Sequence, residues 1–192
     1  MENKLYRVEI NPLNIGPILS TPTNLNPTRV LPLREPSIQY ILSNLVHASI
    51  TQDAPLFKIC NEAVSYNPLI ANLLPGIWEV LMEQARPVDV KRKRTECAFF
   101  FTNIEDACHY QTSYPGMQKG KLCEVSIIEQ EFMMECDMAW LNNVDEKTIK
   151  AAEAINQFEH YWAGEKTNNP IMEVLFAGKY QLKSIKNERR ND

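Results

Sequence analysis

Tyr6, Val8 and Ile10 alternate with Leu5, Arg7 and Glu9, a period of two that predicts a strand with one buried and one mixed face. Arg7 then projects away from Tyr6 and Val8. Prolines follow at positions 12, 17, 22, 27, 32 and 36 with no similarity between the residues that separate them. Residues 11–36 therefore read as a long loop that covers a site, not as a repeat. Beyond it the apolar period becomes helical. Ser37 is placed to cap a helix whose Ile38, Ile41, Leu42, Leu45 and Val46 form one stripe. A second helix starts at Asp53, buries Leu56, Ile59, Cys60 and Ala63, and stops before Asn67-Pro68. Pro75-Gly76 cuts the third stretch, after which Ile77, Val80 and Leu81 carry a stripe to about Arg86.

From Thr95 onward strands dominate. Cys97 to Phe101 is a short apolar run leading directly into a helix capped by Thr102 or Asn103, and Thr102 with Glu105 has the spacing of a capping box. After turn signals at Pro115-Gly116 and Gly120, Leu122 to Ile128 and Glu131 to Cys136 predict a hairpin. Asp145 is placed to cap a helix whose Ile149, Ala152, Ile155, Phe158 and Trp162 share a face, and Gly164 to end it. Ile171 to Ala177 and Lys179 to Ile185 predict two strands around Gly178, ahead of a charged tail. Helices first and mostly strands later indicate an α+β fold with an antiparallel or mixed sheet.

The chain has 192 residues, enough for one good core, so it reads as a single domain over 1–192 with a helical segment, about 37–86, inserted after the first strand. Apolar and charged fractions of 44% and 23% exclude collagen-like, disordered and coiled-coil classes. A formal charge of −4 gives no general attraction to nucleic acid or anionic membrane. No apolar run is long enough for a membrane span, and Met1-Glu2-Asn3-Lys4 lacks a basic leader. The cysteines are odd in number, widely spaced and without a Cys-x-x-Cys pair, which points to a reducing cytoplasm, with delivery into a host or target cell left open.

Gly-x-Gly-x-x-Gly, phosphate-loop and Gly-x-Ser-x-Gly motifs are absent. His47, His109 and His160 lie far apart, and only His109 has acidic neighbours at helical spacing, Glu105 and Asp106, so no metal is expected. Lys91-Arg92-Lys93-Arg94 is either a solvated loop or a phosphate-binding patch lining a cleft. Glu173 falls between Met172 and Val174, on the strand face of Ile171 and Leu175, where an ionised side chain needs a partner or a role.

Taken in order, several segments resemble the mono-ADP-ribosyltransferase-like superfamily, in particular an uncharacterised bacterial and phage group with that fold. Leu5-Tyr6-Arg7-Val8 is similar to the family's first strand. Trp78 through Arg86, the basic stretch, Thr95 and the Phe-rich strand running into Asn103 to Tyr110 resemble its nicotinamide-pocket segment. Asp137 to Leu141, Tyr161 to Glu165 and Pro170 to Leu175 resemble its catalytic end. The resemblance spans Trp78 to Ile185 plus the first strand. It implies split antiparallel or mixed sheets, NAD as co-substrate, Glu173 as the catalytic residue, Arg7 on the NAD phosphate or ribose, and Phe100 and Tyr110 flanking the nicotinamide. Thr95 would supply the strand-borne hydroxyl, with Cys97 competing for that place. Arginine-directed members carry a second acid two positions before the catalytic Glu, where this chain has Ile171, so an arginine acceptor is disfavoured.

The implied reaction breaks the nicotinamide glycosidic bond and transfers ADP-ribose to a protein, nucleic-acid or small-molecule acceptor, the acceptor being most readily macromolecular. Alternatives are an NAD glycohydrolase, a non-catalytic protein-interaction module on the same fold, and a nucleic-acid binder centred on Lys91 to Arg94. No membrane partner is expected, and oligomeric state is open. A transferase should gather Arg7, Phe100, Tyr110 and Glu173 around one cleft, whereas an interaction module allows them to be scattered.

Overall fold

A computed structural model describes residues 4–21, 35–142 and 144–185 of the chain. Its helices are α1 (Pro36–Thr51), α2 (Leu56–Tyr66), α3 (Ile77–Ala85), α4 (Ile104–Ser113), α5 (Ala139–Asn142) and α6 (Ala151–Trp162). Its strands are β1 (Leu5–Glu9), β2 (Ile18–Ser20), β3 (Ala98–Phe101), β4 (Lys121–Asp137) and β5 (Met172–Ser184). The fold is α+β with an antiparallel sheet. Two compact units emerge: Met1–Thr23, Cys97–Cys136 and Ile171–Asp192 form one, and Asn24–Glu96 with Asp137–Pro170 form the other. The helical unit thus extends beyond the expected insert of about 37–86, because α6 packs against α1 and α3.

In the sheet unit the strand order is β2-β5-β3-β1-β4, and β4 pairs again with β5, so β5, β3, β1 and β4 form a closed circuit. Leu5, Ala98, Phe100, Cys123, Val125, Val174, Phe176, Tyr180 and Leu182 fill one face as a single core cluster. Their period of two along each strand is the alternation that turns one face inward. Gly178 is required in β5: its φ is +142°, and a Cβ there would lie 2.0 Å from the Glu129 carbonyl oxygen of β4. α4 covers β1 and β3 on the other face.

Several sequence expectations change here. The hairpin expected within 122–136 is one continuous strand, since Ile128-Glu129-Gln130-Glu131 holds no turn-forming residue. Likewise β5 runs unbroken through Gly178. The expected loop contains β2, paired with β5, and a 3-10 turn at Pro12–Asn14. Pro22, Pro27 and Pro32 lie outside the described residues. α1 begins at Pro36, after Glu35, with no side-chain cap from Ser37. Asp53 sits in a turn at φ 50°, and the helix starts three residues later at Leu56. α4 is capped by Asn103, whose Oδ1 accepts the Asp106 amide at 2.7 Å. Asp145 caps the turn before α6, accepting from the Thr148 hydroxyl at 2.8 Å and the Lys147 amide at 3.1 Å.

The helical unit has its own core, including Leu42, Val46, Leu81, Phe158, Tyr161 and Trp162. Trp162 Nε1 donates to the Met82 carbonyl at 2.8 Å, tying α6 to α3. Ser49, wholly buried, donates to the Ala54 carbonyl at 2.6 Å and accepts the Ala151 amide at 3.1 Å. Asp137, also wholly buried, accepts from the Ala139 amide at 2.9 Å and from the amide and hydroxyl of Thr167 at 2.8 and 2.7 Å. Among the described residues no helix is long and apolar enough to cross a membrane.

Candidate functional site

Glu173 lies on β5 directly opposite Phe101 of β3, Phe101 is opposite Tyr6 of β1, and Tyr6 is opposite Glu124 of β4. Directly paired residues share a face, so these four side chains form one row across the sheet. Glu173 is 3% exposed. Tyr110 of α4 brings its ring to 5.3 Å from that of Phe101, and Tyr114 continues the contact at 4.4 Å from Tyr110. Tyr6, Tyr110 and Tyr114 are half-buried, so the row passes from a buried carboxylate to rings that reach solvent. Glu124, at the far end, pairs with Lys4 at 3.3 Å.

Arg7 and Phe100 are on the opposite face. Phe100 pairs with Val174, is 0% exposed, and packs against Phe176 and Tyr180 with centroid separations of 5.4 and 5.0 Å. A ring enclosed by core neighbours has no face left for a nicotinamide. Phe101, one residue on, is the aromatic beside Glu173, a consequence of the two-residue period that sends neighbours to opposite faces. Arg7 stands opposite Cys123, a core-cluster residue, and its Nε donates to Glu9 Oε2 at 3.1 Å. Burial of Cys123 pushes its thiol pKa up, with Glu9 adding to the rise and Arg7 and Lys121 opposing it.

The structure therefore sets Glu173 and Tyr110 each beside Phe101 on one face of the sheet, and Arg7 and Phe100 on the other. Thr95, in the 3-10 turn Arg94–Glu96, belongs to the helical unit. The basic run is partly neutralised within that unit: Arg94 Nη1 pairs with Glu79 Oε1 at 3.2 Å, its Nε donates to the Tyr161 hydroxyl at 3.3 Å, and both charges are largely buried. Nearby, Arg86 pairs with Glu83 at 2.6 Å and donates to the Val90 carbonyl. The Glu83 hydrogen bond holds the Arg86 guanidinium pKa above its ordinary value. His109 contacts the Ser113 hydroxyl, and Asp106 is engaged by Asn103. Among the described residues no three potential metal ligands are gathered.

Tyr6 and Phe101 stand in the row with Glu173, and no motif in the sequence marks them. Alternation puts Tyr6 on the face opposite Arg7, and only the pairing of β5 with β3 and β3 with β1 connects that face to Glu173. Glu9 was missed as the partner of Arg7, although the two share a face by the same alternation. No protein-family model matches the chain, and no curated protein matches it either.

Proposed function

We propose that this protein is an NAD-dependent mono-ADP-ribosyltransferase acting on a macromolecular acceptor, with Glu173 as its catalytic carboxylate. The observation that carries this reading is the row of Glu173, Phe101 and Tyr6 with Tyr110 against Phe101. Glycosidic cleavage sends the bonding pair to the departing nicotinamide and leaves oxocarbenium character on the ribose. A carboxylate held beside the ribose and shielded from bulk water stabilises that positive charge more strongly than one in solvent. Tyr110 and Tyr114, half-buried and stacked on from Phe101, offer aromatic surface for the leaving ring, and Tyr6 a hydroxyl on the same face. The ribosyl carbon is then captured by an acceptor nucleophile, whose proton is released. Water in that place would make the protein an NAD glycohydrolase.

A second reading, a non-catalytic protein-interaction module, is favoured by one specific observation: Arg7 and Phe100 do not share a face with Glu173. Nicotinamide release from NAD by wild type, Glu173→Gln and Glu173→Ala, with melting temperatures recorded with and without NAD, separates the two. Release that depends on Glu173 supports the transferase or glycohydrolase chemistry. Absence of release together with no NAD-dependent rise in melting temperature supports the interaction module.

A further inference from the structure

Arg7 is braced in a way that suits recognition of a ligand other than the NAD proposed at Glu173. Its Nε donates to Glu9 Oε2 at 3.1 Å, while Glu9 Oε1 accepts from the Asn11 amide at 2.9 Å and from Asn14 Nδ2 at 3.1 Å. Glu9 is 5% exposed, so its carboxylate is saturated by donors and acts as a fixed brace. A guanidinium held through Nε keeps its two terminal nitrogens as an end-on fork, a geometry that matches a carboxylate bidentately. Among the described residues those two nitrogens make no further hydrogen bond, and the Arg7 side chain keeps 15% of its surface exposed.

The surroundings narrow the ligand. Lys121 stands directly opposite Glu9, so Arg7 and Lys121 together outweigh the one carboxylate between them by a single positive charge. A doubly charged phosphate would meet Glu9 at short range, whereas a singly charged carboxylate is balanced. The turn that donates to Glu9 carries Leu13, 80% exposed. An exposed apolar side chain on the segment that braces an anchoring arginine is a feature of a protein-docking surface. We propose that Arg7, braced by Glu9 and bordered by the turn that carries Leu13, docks a partner polypeptide through an aspartate or glutamate side chain that has an apolar neighbour. This site is on the sheet face opposite Glu173 and does not depend on the ADP-ribosyl chemistry.

The test uses the full chain labelled for NMR, with N-acetyl-Leu-Glu-Leu-amide as probe and its Gln counterpart and inorganic phosphate as comparisons. Saturable shifts of the Arg7 Nε–H and the Leu13 methyls are expected with the Glu peptide alone. Arg7→Lys should weaken the Glu peptide about tenfold, since the charge stays and the fork is lost. Leu13→Ser, at a position too exposed to affect folding, should weaken it as well, and Glu173→Gln should leave it unchanged. The proposal is overturned by absence of a saturable shift, by equal shifts with the Gln peptide, or by inorganic phosphate binding at Arg7 more tightly than the peptide.

Discussion

Glu173 and Phe101 face each other across the β5–β3 ladder, on the side of the sheet that α4 covers. That pairing ties a buried carboxylate to the Tyr110 and Tyr114 rings, and it places the residues on either side of Phe101 and Glu173 in a different environment.

Phe100 and Phe101 should respond differently to truncation. Phe100→Ala opens a cavity among Phe176 and Tyr180 and is expected to destabilise the protein by about 3–5 kcal/mol. Phe101→Leu keeps apolar volume while removing the ring beside Glu173, so it should leave the melting temperature within a few degrees and impair NAD turnover. Denaturant titrations and nicotinamide release on both variants check this. Equal stability losses without any effect on turnover would remove Phe101 from the site.

Glu173→Gln preserves shape and removes the negative charge. If the carboxylate stabilises an oxocarbenium-like ribose, release should fall by about a hundredfold or more, in line with loss of one well-placed electrostatic group. The thermal midpoint should shift less than in Glu173→Ala, which also removes side-chain volume from a buried position.

Gly178→Ala should be among the most damaging small substitutions in the sheet. It combines a φ of +142° with a carbonyl oxygen 2.0 Å from the new methyl group. A loss of about 2–5 kcal/mol is expected, strain and overlap together, measurable by urea unfolding. Gly116→Ala is the comparison: its φ is +89° but nothing lies within 4 Å of the added carbon, so only the backbone strain applies.

Asp137→Ala removes an acceptor that holds Ala139 and both donors of Thr167. One buried and two part-buried donors then lose their partner, at a cost of about 2–4 kcal/mol. Thr167→Val, which deletes only the hydroxyl donor, should cost about 1 kcal/mol. A cost for Asp137→Ala no larger than that of Thr167→Val would show that the buried carboxylate is not what anchors this segment.

Cys60 gives a pH dependence with a definite sign. Burial pushes its thiol from 9.0 up to about 11 in the folded protein, so the native state holds the proton where the unfolded chain releases it. Its stabilising contribution is complete below about pH 9 and is lost as pH rises from there toward 11, amounting to roughly 2–3 kcal/mol. Other groups titrate in the same interval, so the measurement is the difference between wild type and Cys60→Ala in unfolding free energy at pH 8 and pH 11. A difference that does not change between the two pH values would rule out the buried thiol as its source.

Local pattern alone determined much of this protein: the stripes of α1 and α2, the apolar run of β3, the strand character of 5–9 and 172–184, and the opposite facing of Tyr6 and Arg7. These depend on periods of two and of about 3.6 residues, which are properties of a single segment. In α6 the buried face is Ala151, Ala154, Phe158, Tyr161 and Trp162, with the expected Ala152 exposed. Pairing was beyond that reach. Which residue of β3 meets Glu173, whether β4 turns or runs on, and whether α6 packs with the earlier helices all depend on contacts between segments far apart in the chain. Because a shift of one residue in register moves every side chain to the other face, only the tertiary structure decided that Phe101 and Tyr6, not Phe100 and Arg7, accompany Glu173.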